Sequence, residues 1–148
     1  MAAEHALVDT NILLEATDER RVHHRSAFEL LSNGSGLRLC AQVVREYLVV
    51  ATRPTTSGMN GLGLSRRHAL ENVRALRERM RLVPEEKPLL PALFDLLDAV
   101  PCSGKRIHDA NLVACAVVHG IRRLVTLNAR DFAAFSAYVT VLDPTEAA

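Results

Sequence analysis

Short apolar stretches alternate with longer segments of helical spacing along the whole chain, and this alternation most constrains the fold. The apolar stretches predict strands over residues 6–8, 37–40, 82–84, 124–127 and 138–142. Apolar residues at helical spacing predict helices over 24–31, 43–52, 65–81, 88–100, 109–119 and 131–137. Short buried strands separated by helices favour an α/β protein with a mostly parallel central sheet and helices on both faces.

Length and composition are typical of a single folded domain spanning residues 1–148. The chain has 148 residues, 49% of them hydrophobic, and a net charge of +1, enough to bury a substantial core. Its apolar runs are shorter than a membrane span and its first residues do not resemble a signal peptide, so we expect a cytoplasmic location without membrane association. The three scattered cysteines are expected to be free thiols.

Acidic side chains follow the expected strands in a regular way. Asp9 ends the first strand, Glu46 lies on the helix after the second, and Asp109 opens the most apolar helix. Asn128 and Asp131 follow the fourth strand. The carboxyl ends of parallel strands meet at one edge of a sheet, where ligands bind, so we expect these side chains to lie close together.

Each acid also has an ordinary structural explanation. Asp109 could stabilise a helix N-terminus, Glu46 could pair with Arg45 or Arg53, and Asp131 could cap the short helix that follows it. A cluster of unpaired carboxylates in apolar surroundings is costly, and their mutual repulsion keeps some of them protonated unless a cation compensates. A hard divalent cation with oxygen ligands, such as Mg²⁺, would resolve both problems.

Basic residues near these acids are candidate contacts for nucleic-acid phosphates. Arg106 and Lys105 precede Asp109, Arg130 follows Asn128, and Arg53 ends the helix that carries Glu46. Phosphate contacts dominate affinity for nucleic acids. A solvated charged surface is the alternative for all four.

Other enzyme classes lack their signatures here. There is no Walker A sequence, no G-x-G-x-x-G loop and no G-x-S-x-G nucleophile motif. Haloacid-dehalogenase-like phosphatases also place an Asp at the end of the first strand, but their chemistry needs a second Asp two positions on. Asn11 stands there, which argues against that class.

Four motifs in order resemble the PIN-domain family, specifically the VapC-type toxins. They are Val-Asp-Thr-Asn at 8–11, Val-Arg-Glu-Tyr-Leu-Val-Val-Ala-Thr-Arg-Pro at 44–54 with Gly-Leu-Gly-Leu-Ser at 61–65, Ile-His-Asp-Ala-Asn-Leu-Val-Ala at 107–114, and Val-Thr-Leu-Asn-Ala-Arg-Asp-Phe at 125–132. The resemblance extends from residue 6 to residue 143 and implies an α/β/α PIN domain.

The resemblance also implies roles for individual residues. The three metal-binding acids of the family fall on Asp9, Glu46 and Asp109. The fourth acidic position falls on Asn128, where many relatives carry Asp, and Asp131 is the candidate to substitute for it. This departure leaves open whether one or two metal ions bind. Asn11 and Thr126 match polar positions that orient the acids, and His24 and His108 fit the pattern with structural roles.

The function implied by this resemblance is that of an Mg²⁺-dependent endoribonuclease, with Mn²⁺ as the alternative ion, acting as the toxin of a type II toxin–antitoxin system. It would hydrolyse RNA phosphodiester bonds with a metal-activated water. The implied partners are RNA, a VapB-like antitoxin that inserts a segment into the acidic groove, and a second copy in a homodimer. Two alternatives stay open: a non-toxin PIN nuclease in RNA maturation, and a catalytically weak PIN module that binds RNA or protein, which Asn128 favours.

Overall fold

The computed structural model describes residues 4–56 and 60–147. Its strands are β1 (Ala6–Val8), β2 (Leu37–Cys40), β3 (Arg81–Val83), β4 (Arg123–Val125) and β5 (Thr140–Leu142). Its helices are α1 (Thr10–Thr17), α2 (His24–Ser32), α3 (Ala41–Thr52), α4 (Arg66–Arg79), α5 (Leu89–Ala99), α6 (Arg106–Val118) and α7 (Ala129–Phe132), the last followed by a 3-10 turn (Ala133–Phe135). Within the described residues, no helix has both the length and the apolar character needed to cross a membrane.

The five strands form one sheet in the order β3-β2-β1-β4-β5, and every pairing is parallel. The chain moves outward from β1 to β2 and β3, then returns to the other side of β1 to form β4 and β5. This reversal creates a crevice outside the carboxyl ends of β1 and β4, which is where open α/β sheets bind ligands. The α/β class expected from the sequence is confirmed, and the sheet is parallel throughout.

The helices separate into two packed groups. One contains α1 to α4, which contact one another in pairs, and the other contains α5, α6 and α7. Right-handed connections place the helices of the two groups on opposite faces of such a sheet. Helix α6 is the most buried of the described helices, since six of its residues between Ala110 and Ala116 are buried. Its apolar sequence predicted this position.

Several helices start at residues other than those predicted from the sequence. Helix α1 is not among the predicted helices, because its eight residues hold too few turns for a clear period. Helix α6 starts three residues before Asp109. The expected helix at 131–137 is instead α7 followed by the 3-10 turn. The N-cap expected at Ser65 is confirmed, since its hydroxyl accepts a hydrogen bond from the His68 N–H at 3.1 Å.

The Gly-Leu-Gly-Leu-Ser motif at 61–65 holds the chain against the end of α3. The N–H groups of Leu62 and Leu64 donate to carbonyls of α3, and Gly63 N–H donates to Arg53 O at 2.8 Å. A side chain at Gly61 would collide with the Arg53 backbone, and Gly63 has φ +65°. Both glycines are therefore required by the backbone path.

Candidate active site

Each of the two strands at the crevice, β1 and β4, is followed directly by a polar residue, and the side chains of these two residues are in contact. Asp9 directly follows β1 and Thr126 directly follows β4. The strands remain in register at this point, because the Asp9 N–H donates to the Val125 carbonyl at 3.0 Å. The sheet therefore brings together residues that are 117 positions apart in sequence.

The Asp9 carboxylate is buried and held by hydrogen bonds on both oxygens. Its Oδ1 accepts from the Thr10 N–H at 2.7 Å. Its Oδ2 accepts from the Thr126 hydroxyl at 2.8 Å and from the Asn11 amide at 3.3 Å. Only 9% of the residue surface is exposed. The orientation of Asp9 is therefore set before any ligand arrives.

Asn11 joins the segments that follow β1 and β4. Its Nδ2 donates to the Thr126 Oγ1 at 3.0 Å, and its Oδ1 accepts from the Leu127 N–H at 3.1 Å. The Thr126 hydroxyl oxygen also accepts from the Asn128 N–H at 3.1 Å. The expected proximity of Asn11 and Thr126 to Asp9 is thus present in the structure.

Glu46 reaches the same place from α3. Its Oε2 accepts from the Thr10 hydroxyl at 2.7 Å, and its Oε1 accepts from the Gln42 amide at 2.9 Å. The alternative that Glu46 pairs with Arg45 is wrong, because Arg45 contacts Glu85 at 3.0 Å. No ion pair involves Glu46 within residues 4–56 and 60–147.

Asp109 lies half-buried in the first turn of α6. Burial, followed by the charges of Asp9, Asp131 and Glu46, raises its pKa to about 6, and Arg106 opposes the rise. The pKa of Asp9 is also raised, mainly by burial and further by the charges of Glu46 and Asp131, against the hydrogen bonds from Thr126 and Thr10. These mutual effects show that the carboxylates share one site.

Asn128 and Asp131 lie at the outer side of the site, and both are exposed. Asn128 occupies the N-cap position of α7, although its side chain makes no capping hydrogen bond. The interpretation of Asp131 as an N-cap is wrong, because α7 starts at Ala129 and Asp131 lies inside it. The charge of Asp131 nevertheless acts on both Asp9 and Asp109.

The basic candidates separate into two sets. Arg106 lies close to the acids, because its charge opposes the rise in the Asp109 pKa and its guanidinium donates to the Asp131 carbonyl at 3.4 Å. Lys105 and Arg130 are exposed and precede Arg106 and Asp131 in the chain. Arg53 ends α3, about 10 Å further along the helix than Glu46. It contributes to neither shifted carboxyl pKa. The structure therefore does not bring Arg53 to the acids.

Two residues beside the acids were not anticipated from the sequence. Gln42 is 7% exposed and contacts Glu46, while Asn111 donates to the Gln42 Oε1 at 2.6 Å. The available signal was a Gln four residues before Glu46, on the same side of a helix. His24 has a structural environment, with its Nδ1 at 2.9 Å from the Glu15 carbonyl and its ring 5.6 Å from that of Phe28.

The donor set fits a hard divalent cation in its chemistry. Within the described ranges, no three His, Cys, Asp or Glu side chains form a group that could hold a metal ion. Mg²⁺ commonly uses only one or two carboxylates and retains several waters, so it does not need such a group. Asp9 and Asp109 supply carboxylate oxygens whose pKa values are raised first by burial and then by the charges of neighbouring acids, and a bound cation would offset both effects.

Comparisons with known proteins identify the family of the chain. The family model described as "PIN domain" matches residues 6–137. Ribonuclease VapC48 of Mycobacterium tuberculosis is 32% identical over 142 residues, covering 92% of this chain and 94% of the relative.

Two solved structures show the same fold at lower identity. DNA-bound VapBC from Salmonella typhimurium has a TM-score of 0.70 and 17% identity, covering 95% of this chain and 98% of that one. Mycobacterium tuberculosis VapC20, described as a sarcin-ricin loop cleaving toxin, has a TM-score of 0.65 and 18% identity, covering 91% of this chain and 96% of that one.

Proposed function

Since the chain belongs to the PIN-domain family, we propose that it is an Mg²⁺-dependent endoribonuclease and the toxin of a type II toxin–antitoxin pair. The observation that carries this proposal is the convergence of Asp9, Glu46 and the first turn of α6, which carries Asp109, at the crevice between β1 and β4. The relative named ribonuclease VapC48 supports the substrate class, because it matches this chain along nearly its full length.

The roles of the inner residues follow from their contacts. Asp9 and Asp109 would hold the cation, which when bound lowers the pKa of water and offsets charge on the phosphate. Thr126 and Asn11 keep Asp9 in place, because both donate to its Oδ2. Glu46 would orient the attacking water and accept its proton, from a carboxylate fixed by Thr10.

The proposed reaction is hydrolysis of an RNA phosphodiester by in-line attack of water on phosphorus. The bond to the 3′ oxygen breaks, so the products carry a 5′ phosphate and a 3′ hydroxyl. Asn128 and Asp131 would complete the outer side of the site. Lys105, Arg106 and Arg130 would contact phosphates that flank the cleaved bond, and their exposure supports this role.

An apolar groove between α1, α2 and α4 is the surface that we propose for a VapB-like antitoxin. The cavity measures about 270 Å³, and its lining includes Leu13, Leu76 and Phe28, with Phe28 53% exposed. The solved neighbour from Salmonella typhimurium is a VapBC assembly, which supports this class of partner. The family resemblance also implies that a segment of the antitoxin enters the acidic groove, where the charge of an Arg would favour the ionised carboxylates.

The remaining expectations stay proposals of the same kind. We propose that residues 1–148 form a single domain, supported by one sheet whose strands run from Ala6 to Leu142. A cytoplasmic homodimer is proposed from the family resemblance.

The test is incubation of a total cellular RNA pool with purified, antitoxin-free protein. Discrete fragments with 5′ phosphates should form with Mg²⁺ and disappear with EDTA or in Asp9→Ala. Asp95→Ala is the matched control, because Asp95 is an exposed acid on α5, and it should cleave like the wild type. Absence of cleavage with Mg²⁺ or Mn²⁺ by folded protein would instead favour the binding module, for which Asn128 is the supporting observation.

A further inference from the structure

The two helices that carry Glu46 and Asp109 belong to different packed groups. Helix α3 packs with α1 and α4, whereas α6 packs with α5 and α7, and α3 and α6 are not among the closely packed helix pairs. Contacts between individual side chains of α3 and α6 therefore matter for the separation between these acids. The side chains of Gln42 on α3 and Asn111 on α6 make the connection, with the Asn111 amide donating to the Gln42 Oε1 at 2.6 Å.

We propose that Gln42 and Asn111 are positioning residues that hold Glu46 and Asp109 at the spacing needed to bind the divalent cation. The inference rests on the proposed function, since it names what sets the geometry of the same site. Neither Gln42 nor Asn111 would bind the cation itself. Gln42 acts through Glu46, and Asn111 acts through Asp109.

The hydrogen bonds around Gln42 have only one consistent direction. One end of its amide faces the His108 carbonyl at 2.8 Å and the Glu46 carboxylate at 2.9 Å. A backbone carbonyl can only accept, so the end that faces His108 must be the NH₂ group. The Gln42 oxygen then faces Asn111, whose NH₂ must donate to it. Each polar atom of the Gln42 amide therefore has a partner.

Because every polar atom of the Gln42 amide is hydrogen-bonded, this side chain forms a rigid connection between α3 and α6. Gln42 is 7% exposed, and a buried amide that loses its hydrogen-bond partners is destabilising because water cannot replace them. Rotation of the Gln42 side chain would break three hydrogen bonds at once. The His108 carbonyl and Asn111 flank Asp109 on α6, so holding both of them fixes the first turn of that helix.

The connection continues to Asp9 through a chain of contacts. The Thr10 hydroxyl donates to Glu46 Oε2, while the Thr10 N–H donates to Asp9 Oδ1. The Asp9 and Glu46 carboxylates are consequently connected to the first turn of α6, which carries Asp109, through one hydrogen-bond network. Groups behind metal ligands typically contribute 10–100-fold to metal affinity or activity.

The experiment measures Mn²⁺ binding to the full chain without RNA, by electron paramagnetic resonance of the free ion. Gln42→Met preserves side-chain length but removes all three hydrogen bonds, and Asn111→Leu removes the donor to Gln42. Asn72→Leu is the matched control, because Asn72 donates an interhelical hydrogen bond of 3.1 Å to the Tyr47 hydroxyl, away from the acids.

Gln42→Met and Asn111→Leu should each weaken Mn²⁺ binding by about 10-fold, and Asn72→Leu should bind like the wild type. The double variant should bind no more weakly than Gln42→Met alone, because the two residues act as one unit. Excess Mn²⁺ should restore RNA cleavage by both single variants, which a lost ligand would prevent.

Thermal unfolding of all variants separates positioning from loss of fold. Wild-type affinity in both Gln42→Met and Asn111→Leu would overturn the positioning proposal and leave the nuclease proposal intact. A fall in affinity in Asn72→Leu equal to that of the other two, at matched stability, would also overturn it. A wild-type chain that binds no Mn²⁺ and cleaves no RNA would overturn both proposals.

Discussion

The inner and outer sides of the acidic site are built differently. On the inner side, Asp9, Asn11 and Thr126 are joined by hydrogen bonds of 2.8–3.3 Å at the end of the sheet. On the outer side, Asn128 and Asp131 are exposed, and neither side chain makes a hydrogen bond within the described part of the chain.

The inner residues are therefore oriented before a ligand binds, whereas the outer residues stay accessible to the substrate. The cost of orienting the inner carboxylates is met during folding, because strand register and buried hydrogen bonds define their positions. Groups that are oriented beforehand need no reorganisation when charge develops in a reaction. The outer residues lie on a short helix facing solvent, where a long polymeric substrate can approach. We therefore expect the effects of substitution to fall from the inner side to the outer side.

Loss of the Asp9 carboxylate should have the largest effect. Asp9→Asn retains the size of the side chain but removes a charged oxygen ligand, so RNA cleavage should fall by more than about 100-fold, beyond the range for groups behind a ligand. Initial rates with Mg²⁺ check this, with circular dichroism to verify the fold. Activity within a few-fold of the wild type would place the catalytic centre elsewhere.

Loss of the Thr126 hydroxyl should have the next largest effect. Thr126→Val keeps the shape but removes the donor to Asp9 Oδ2, and the Mg²⁺ concentration for half-maximal cleavage should rise by about 10–100-fold. Thr140→Val is the matched control, since Thr140 is exposed at the start of β5. Equal Mg²⁺ requirements for both variants would show that orientation of Asp9 is unimportant.

Removal of the Asp109 charge should stabilise the metal-free protein. The pKa of Asp109 is about 6 in the folded chain against an ordinary value of 3.8. Between these values the folded chain binds more protons than the unfolded chain, so the free energy of unfolding falls as the pH rises from about 4 to about 6. Above pH 6 the free energy of unfolding stays lowered by the buried charge of Asp109.

Asp109→Asn should therefore have a free energy of unfolding about 1–2 kcal/mol above that of the wild type near neutral pH, after a discount for partial exposure. Urea unfolding in EDTA, repeated across the pH range, measures this difference. The two curves should converge near pH 4. A constant difference at every pH would exclude titration of Asp109 as its cause.

Substitution of Asp131 should have the smallest effect. An exposed charge contributes about 0–1 kcal/mol, so Asp131→Asn should slow cleavage by at most about fivefold. Initial rates beside those of Thr126→Val measure the contrast. A larger loss in Asp131→Asn than in Thr126→Val would reverse the proposed order and make Asp131 a replacement for the acid missing at Asn128.

Sequence patterns revealed the strands and the inner acids because both depend on local information. The carboxyl ends of parallel strands lie at one edge of the sheet, so the polar residues Asp9 and Thr126 were expected there, and they are in contact because β1 and β4 pair. The Gln42–Asn111 contact joins residues 69 positions apart across two helices, and helical spacing does not show which buried amide meets which. The start of α7 was misplaced because Asn128 and Asp131 are both acceptable N-caps.

The most direct test of the central claim is an anomalous difference map from crystals of the protein loaded with Mn²⁺. We expect one strong peak within coordinating distance of Asp9 and Asp109 oxygens, on the side of the site that Glu46 faces. A peak that only Asn128 and Asp131 contact, or no peak at saturating Mn²⁺, would contradict a metal site built from the inner residues.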